Sequence, residues 1–145
     1  MKIDLKKVKS EDWKLIEDLE KKSHSPLFSP LSGENEYRKH IEEGESYIIL
    51  KDKTPIGTVS YKENETGVLF FRGVTVLPEY RNQGLAKQAM NILVNQLKGQ
   101  KLGLVTHPHN IPALLIYLRL GFVIKEWKEN YFGDGEPRLY LEKSP

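Results

Sequence analysis

The sequence predicts an α/β fold of the α+β kind, a mixed sheet with helices on its faces. Three observations predict it. Short apolar or β-branched stretches crowd together between Ser46 and Val76, parted by turns too brief for a crossover helix. Two longer stretches, opening at Gly84 and at Asn110, repeat their apolar residues near helical spacing. Strand signals return after each of them. At 145 residues the chain has the length of one domain able to bury a continuous core, and 1–145 is read as one domain.

In order, Ile3 to Val8 alternates apolar and polar residues as a half-buried strand does. Ser10 opens a helix, with Trp13, Leu15, Ile16 and Leu19 on one face and acidic residues in the first turn. Ser23 to Ser32 contains Pro26 and Pro30 and is expected to be irregular. A second helix covers Glu34 to Glu43 and stops at Gly44. Ser46 to Leu50, Ile56 to Tyr61 and Val68 to Val76 read as three strands, and the short turns between them favour antiparallel pairing. A helix follows from Gly84 to Lys98, stopped by Gly99, and then a strand from Lys101 to Thr106. Asn110 to Leu120 is helical, with Gly121 suited to a left-handed position after its end. Phe122 to Trp127 and Arg138 to Leu141 close the sheet, giving the order β-α-α-β-β-β-α-β-α-β-β.

Composition narrows the function. There is no cysteine, so disulfides, thiolate nucleophiles and cysteine-based zinc sites are excluded, and no metal is expected. Basic and acidic residues number 22 and 20, a balance that argues against an electrostatic nucleic-acid binder. The lysines of Lys2 to Lys9 interleave with Ile3, Leu5 and Val8, as on the polar face of an edge strand. Met1 to Trp13 lacks the apolar stretch of a secretory signal, and no window approaches ~18 consecutive apolar residues. A cytoplasmic protein without membrane association is the expectation.

The chemistry concentrates in Val74 to Ala86, where a strand runs into a proline-marked turn, a glycine-containing loop and a helix. The loop amides and the free N-terminal donors of the helix form an anion cradle, to which Arg81 adds positive charge. Gly84 lets backbone approach a phosphate without a Cβ, and Ala86 keeps that approach open. A P-loop needs Gly, four residues, then Gly-Lys-Ser/Thr, and a dinucleotide fingerprint needs three glycines; neither string is present.

The pattern Val-x-Pro-x-x-Arg-x-x-Gly-x-Ala, from Val76 to Ala86, resembles the acetyl-CoA-binding motif of the GNAT superfamily, the Gcn5-related N-acetyltransferases. Asn110, Ala113, Tyr117, Gly121 and Phe122 are spaced as in that family's second signature, in the right order and separation. The element order matches from Ile3 to Leu141. The resemblance implies a mostly antiparallel sheet of six to seven strands flanked by about four helices. It also implies acetyl-CoA as co-substrate. Backbone groups of Val74, Thr75 and Val76 would pair with the pantetheine arm, and the amides of Asn82, Gln83, Gly84, Leu85, Ala86 and Lys87 would hold the pyrophosphate. Asn110 would hydrogen-bond the pantetheine or cap its helix, two roles that do not exclude each other.

Acetyl transfer needs a neutral amine, a stabilised oxyanion and a proton for the departing thiolate. By the resemblance, a backbone amide near Val76 meets the oxyanion and Tyr117 is the general acid. The strands that carry a glutamate base in several members read Val68 to Gly73 and Leu102 to Thr106 here, with no carboxylate. His107, His109 or a water chain would serve instead. The acceptor side would be lined by Ser23 to Ser32 and by the final hairpin. Asn130 and Tyr131 through Leu141 resemble the C-terminal stretch of ribosomal-protein and other protein N-alpha-acetyltransferases, favouring a peptide α-amine. A small amine (polyamine, amino acid or aminoglycoside) and a non-catalytic acyl-CoA-binding module remain as alternatives, in a monomer or homodimer.

Overall fold

The computed structural model describes residues 3–23 and 31–145. Strand β1 (Ile3–Lys7) leads through a 3-10 turn (Ser10–Asp12) into α1 (Trp13–Lys22), and α2 (Gly33–Glu42) follows. Strands β2 (Glu45–Lys51), β3 (Thr54–Glu63) and β4 (Leu69–Val76) precede α3 (Leu85–Gln96). Then come β5 (Leu102–Thr106), α4 (Ile111–Arg119), β6 (Val123–Lys128) and β7 (Arg138–Lys143). The expected order is found. The starts of most elements shift by one or two residues; the largest displacement is at Ser10, where the Asp12 carboxylate accepts the Lys9 amide at 3.1 Å and holds a tight turn before the helix proper begins at Trp13. Of the segment Ser23 to Ser32, residues 24–30 lie outside the described residues.

The seven strands form one sheet in the order β1-β2-β3-β4-β5-β7-β6. Every neighbouring pair is antiparallel except β4 and β5, which run parallel. Adjacent residues on β2 show how the sheet is sandwiched. Ile49 is buried with Val59, Phe71, Leu104 and Leu141 beneath Leu85, Ala89 and Leu93 of α3 and Tyr117 of α4. Its neighbour Ile48 points to the opposite face, as strand alternation requires, and packs with Ile16 and Leu19 of α1 and Tyr37 and Ile41 of α2. The two helix pairs thus cover opposite faces. Emptying either core would be costly: a fully buried leucine such as Leu93 loses ~2–5 kcal/mol on truncation to alanine.

Candidate active site

The central feature is a place where the sheet stops being continuous. Strands β4 and β5 are in register only at Leu69↔Leu102, Phe70↔Gly103 and Phe71↔Leu104. Arg72 is then an extra residue on β4, because Tyr61 faces Phe71 while Ser60 faces Gly73. A bulge of this kind bends its strand and ends pairing. Beyond it, β4 stays bonded to β3, while Val105 and Thr106 pair only with β7. One edge of β4 from Arg72 to Val76 therefore faces a gap. Leu77 donates its amide to the Ile56 carbonyl at 2.8 Å on the β3 side. By alternation Thr75 also addresses β3, and the amides of Val74 and Val76 turn toward the gap. The sequence treated these three residues alike; the pleat separates them.

The gap leads to the loop before α3. Asn82 and Gly84 have positive φ values of 63° and 73°, so successive amides turn inward on a common concavity. Gly84 occupies the N-cap position without a side-chain cap. Among the described residues no hydrogen bond engages the amides of Asn82, Gln83, Gly84, Leu85, Ala86 or Lys87. A Cβ built on Gly84 would enter open space, so the glycine keeps a void clear above these donors. Leu85 is buried and anchors the helix start. Arg81, expected to add positive charge to the cradle, also makes two directed bonds to backbone carbonyls. Its Nε donates to the Val76 carbonyl at 3.1 Å and its Nη2 to the Ser23 carbonyl at 2.8 Å. The side chain ties the end of β4 to the end of α1 and shapes the loop.

Tyr117 lies in the core beside the gap strands, 7% exposed, and burial pushes its phenol up to about 12. Its hydroxyl makes no hydrogen bond among the described residues. Asn110 stands at the N-cap of α4, yet its side chain makes no capping bond. The helix-capping role is not realised, and among the described residues its side-chain amide has no hydrogen-bond partner.

The two histidines differ in setting. His107 is buried, with Nε2 2.8 Å from the Glu136 carboxylate. Its Nδ1 accepts the His109 amide at 3.0 Å, so in the neutral ring Nε2 carries the proton and both nitrogens are engaged. The pair pins the turn before β7 to the end of β5. His109 is exposed, its ring 5.1 Å from that of His107.

Sequence reasoning missed a polar cavity under β4. Glu20, Leu31, His40, Ser60, Arg72, Gly73 and Thr75 line a space of about 110 Å³ between α1, α2 and the sheet. Glu20 Oε2 accepts from Thr58 Oγ1 at 3.2 Å, and Thr58 Oγ1 lies 2.8 Å from Thr75 Oγ1. The signal was available: Glu20 shares the helical face of Ile16, Leu19 and Ser23, all buried. A carboxylate on that face is unusual.

Comparison with known proteins gives the family and the fold. Residues 13–122 match the model of the acetyltransferase (GNAT) family, and the chain belongs to that family. The catalytic subunit NAA20 of the N-terminal acetyltransferase B complex of Arabidopsis thaliana is 36% identical over 75 residues, 49% of this chain and 43% of that protein. The match thus spans less than half of that relative's length. The ribosomal-protein-S18-alanine N-acetyltransferase of Escherichia coli superposes with a TM-score of 0.82 at 18% identity, over 98% of this chain and 93% of that one. A chain of a NatC complex bound to Gag peptide and CoA superposes at 0.79 and 20% identity, over 100% and 99%. Among the described residues, no helix is long and apolar enough to cross a membrane.

Proposed function

We propose that the chain transfers an acetyl group from acetyl-CoA to the α-amine of a peptide. The observation that carries this is the free edge of β4 facing a gap that ends on the unengaged amides of 82–87. An extended amide-bearing arm completes such an edge as an added strand would, and a diphosphate satisfies the amides. The residues present fit the co-substrate. Val74 and Val76 offer backbone partners, Asn110 offers a free side-chain amide, and Gly84 leaves room.

Acetyl-CoA supplies the acetyl group as a thioester, activated for attack by an amine. The backbone of β4 near Val76 donates to the oxygen that gains charge as the amine adds. Tyr117 hydrogen-bonds the departing sulfur. With its phenol near 12, full transfer to a thiolate of pKa ~8.5 is uphill by roughly 5 kcal/mol. Tyr117 therefore works as a relay, handing on a proton as the new amide nitrogen gives one up. The N-terminal acetyltransferase relative and the likeness of Asn130 to Leu141 support a peptide acceptor. The test is acceptor-dependent release of CoA from acetyl-CoA, with peptides of varied first residues and spermidine as acceptors. Preference for spermidine would move the reading to small amines, and tight binding without release would make the chain a binding module.

A further inference from the structure

The two edges of the sheet are built differently. At the β1 edge Ile3 is buried and Leu5 half-buried, while Asp4, Lys6 and Lys7 are the exposed side chains. Charged residues of this kind keep an edge from pairing with another chain. At the β6 edge the exposed residues include Val123, Ile124 and Trp127, the last of them 53% exposed. β6 bonds only to β7, so the other row of its backbone donors and acceptors has no partner strand among the described residues.

The helix that leads into this strand has the same character. Every residue of α4 except Arg119 is apolar, yet only Tyr117 is buried. Ile111, Leu115 and Leu118, spaced as one helical face, are exposed. A helix apolar all round is ordinarily covered on every side. Gly121 and Phe122 carry the chain directly from α4 into β6. Ile124 and Trp127 lie opposite Leu141 and Leu139, on the sheet face that α4 covers. The six exposed side chains offer on the order of 600 Å² of apolar surface, against ~800 Å² per partner in a stable complex. Pairing of the β6 backbone supplies the remainder.

The charges on and after β6 say what covers it. Lys125, Glu126, Lys128 and Glu129 stand symmetrically about Trp127. When two copies of this strand run antiparallel about a twofold axis at Trp127, Glu126 lies opposite the partner's Lys128 and Lys125 opposite the partner's Glu129. Sliding one residue either way sets Lys125 against Lys128, or Glu126 against Glu129. Like charges directly opposite are destabilising, so one register is selected. Lys125 is the extra residue of a bulge against β7, which leaves Glu126 and Lys128 as the regular pair. Within one copy Lys128 Nζ already lies 3.1 Å from Glu126 Oε2, and two copies together form a four-charge ladder on one sheet face. Trp127 meets its own symmetry mate on the other face, the α4 side. A surface that complements itself about an axis describes a second copy of the same chain.

We propose that the chain forms a twofold homodimer in which β6 pairs antiparallel with β6 of a second copy, centred on Trp127, with the exposed faces of α4 packed beside the junction. Two seven-stranded sheets then join into one. This interface does not depend on the acetyl-transfer reading.

Sedimentation equilibrium on the full chain, over a micromolar concentration series, tests this with the wild type, E126K and K128E. Both side chains reach solvent, so the variants should fold; E126R and K128D repeat the test if either does not. The wild type should be a dimer. Each variant places two like-charge pairs in the junction and should weaken the dimer by about tenfold or more. Mixed in equal amounts, E126K and K128E present opposite charges to each other again. Their heterodimer should form with an affinity within about threefold of the wild type's. A wild type that stays monomeric overturns the proposal and leaves the face to a different protein. So does a wild-type dimer that neither variant weakens, which places the contact elsewhere. Variants that weaken the dimer and do not recover on mixing overturn the register, and the proposal with it.

Discussion

Phe122 donates its backbone amide to the carbonyl of Tyr117 at 3.1 Å, while the two rings meet edge to face with centroids 6.1 Å apart. Gly121, at φ 99°, donates in turn to the Leu118 carbonyl at 3.1 Å. This crossed pair of bonds is a Schellman closure of α4, with its apolar contact in place. It gives the spacing Tyr-x-x-x-Gly-Phe a physical meaning. The glycine supplies the left-handed turn, and the phenylalanine then locks the tyrosine's backbone and ring together.

Removing only the Tyr117 hydroxyl should therefore leave the fold intact. Tyr117→Phe is expected to reduce kcat by about 10²-fold or more. Acetyl-CoA affinity, read by calorimetry, should change little. Gly121→Ala should cost about 1 kcal/mol in thermal unfolding, since alanine resists this φ and would also press on Lys143 at 3.2 Å. It should lower kcat as well, by loosening the lock. An unaffected rate in Tyr117→Phe would assign the sulfur's proton to another group.

The order of elements was legible because strand alternation and helical spacing are local properties of the chain. The parting of β4 and β5 was not, because the bulge at Arg72 depends on how Tyr61 and Ser60 meet it from another strand. The same holds for the histidines. His107 reads as a free loop base until Glu136, far along the chain, takes its Nε2. Arg81 reads as a source of positive charge because its charge is visible in sequence, and its bonds to the carbonyls of Val76 and Ser23 are not. Glu20 is the opposite case. Its place on the buried face of α1, beside Ile16, Leu19 and Ser23, was visible in the helical register alone.

Gly84→Glu should abolish detectable acetyl-CoA binding, by placing bulk and negative charge above the amides of 82–87. The left-handed φ of 73° makes any side chain here cost about 1 kcal/mol, but no neighbour lies within 4 Å to clash. The melting temperature should thus fall only slightly, as it should for Gly84→Ala, which adds no charge. Calorimetry with acetyl-CoA separates the two variants. Unchanged affinity in Gly84→Glu would remove the loop from the binding site.

His40 sets a pH dependence of stability. Its imidazole lies at about 4 in the folded chain against 6.5 ordinarily, and Nε2 sits 3.2 Å from Ser60 Oγ. Between these values the unfolded chain binds a proton that the folded chain refuses. Stability from this group is therefore lost as pH falls through that window, by roughly 2–3 kcal/mol in all. Glu20, with its raised carboxyl, acts in the opposite sense and loses stability as pH rises above the ordinary carboxylate value. Urea unfolding from pH 7 to 4 should show a shallower decline in His40→Gln than in the wild type. Parallel curves would mean that His40 titrates normally.

Arg81 separates shaping a loop from binding an anion. As a tie between β4 and α1 it makes two directed bonds to carbonyls, at 3.1 and 2.8 Å from Nε and Nη2. A planar fork can do this; a lysine ammonium on one flexible stem cannot reproduce both bonds. Arg81→Ala and Arg81→Lys should therefore both lower thermal stability, by about 1–3 kcal/mol. Both should also weaken acetyl-CoA by about tenfold, because the amides of 82–87 lose their common orientation. Were the guanidinium instead a direct phosphate ligand, lysine would preserve much of the affinity and neither variant would melt early. Calorimetry and thermal unfolding on the two variants decide between these outcomes.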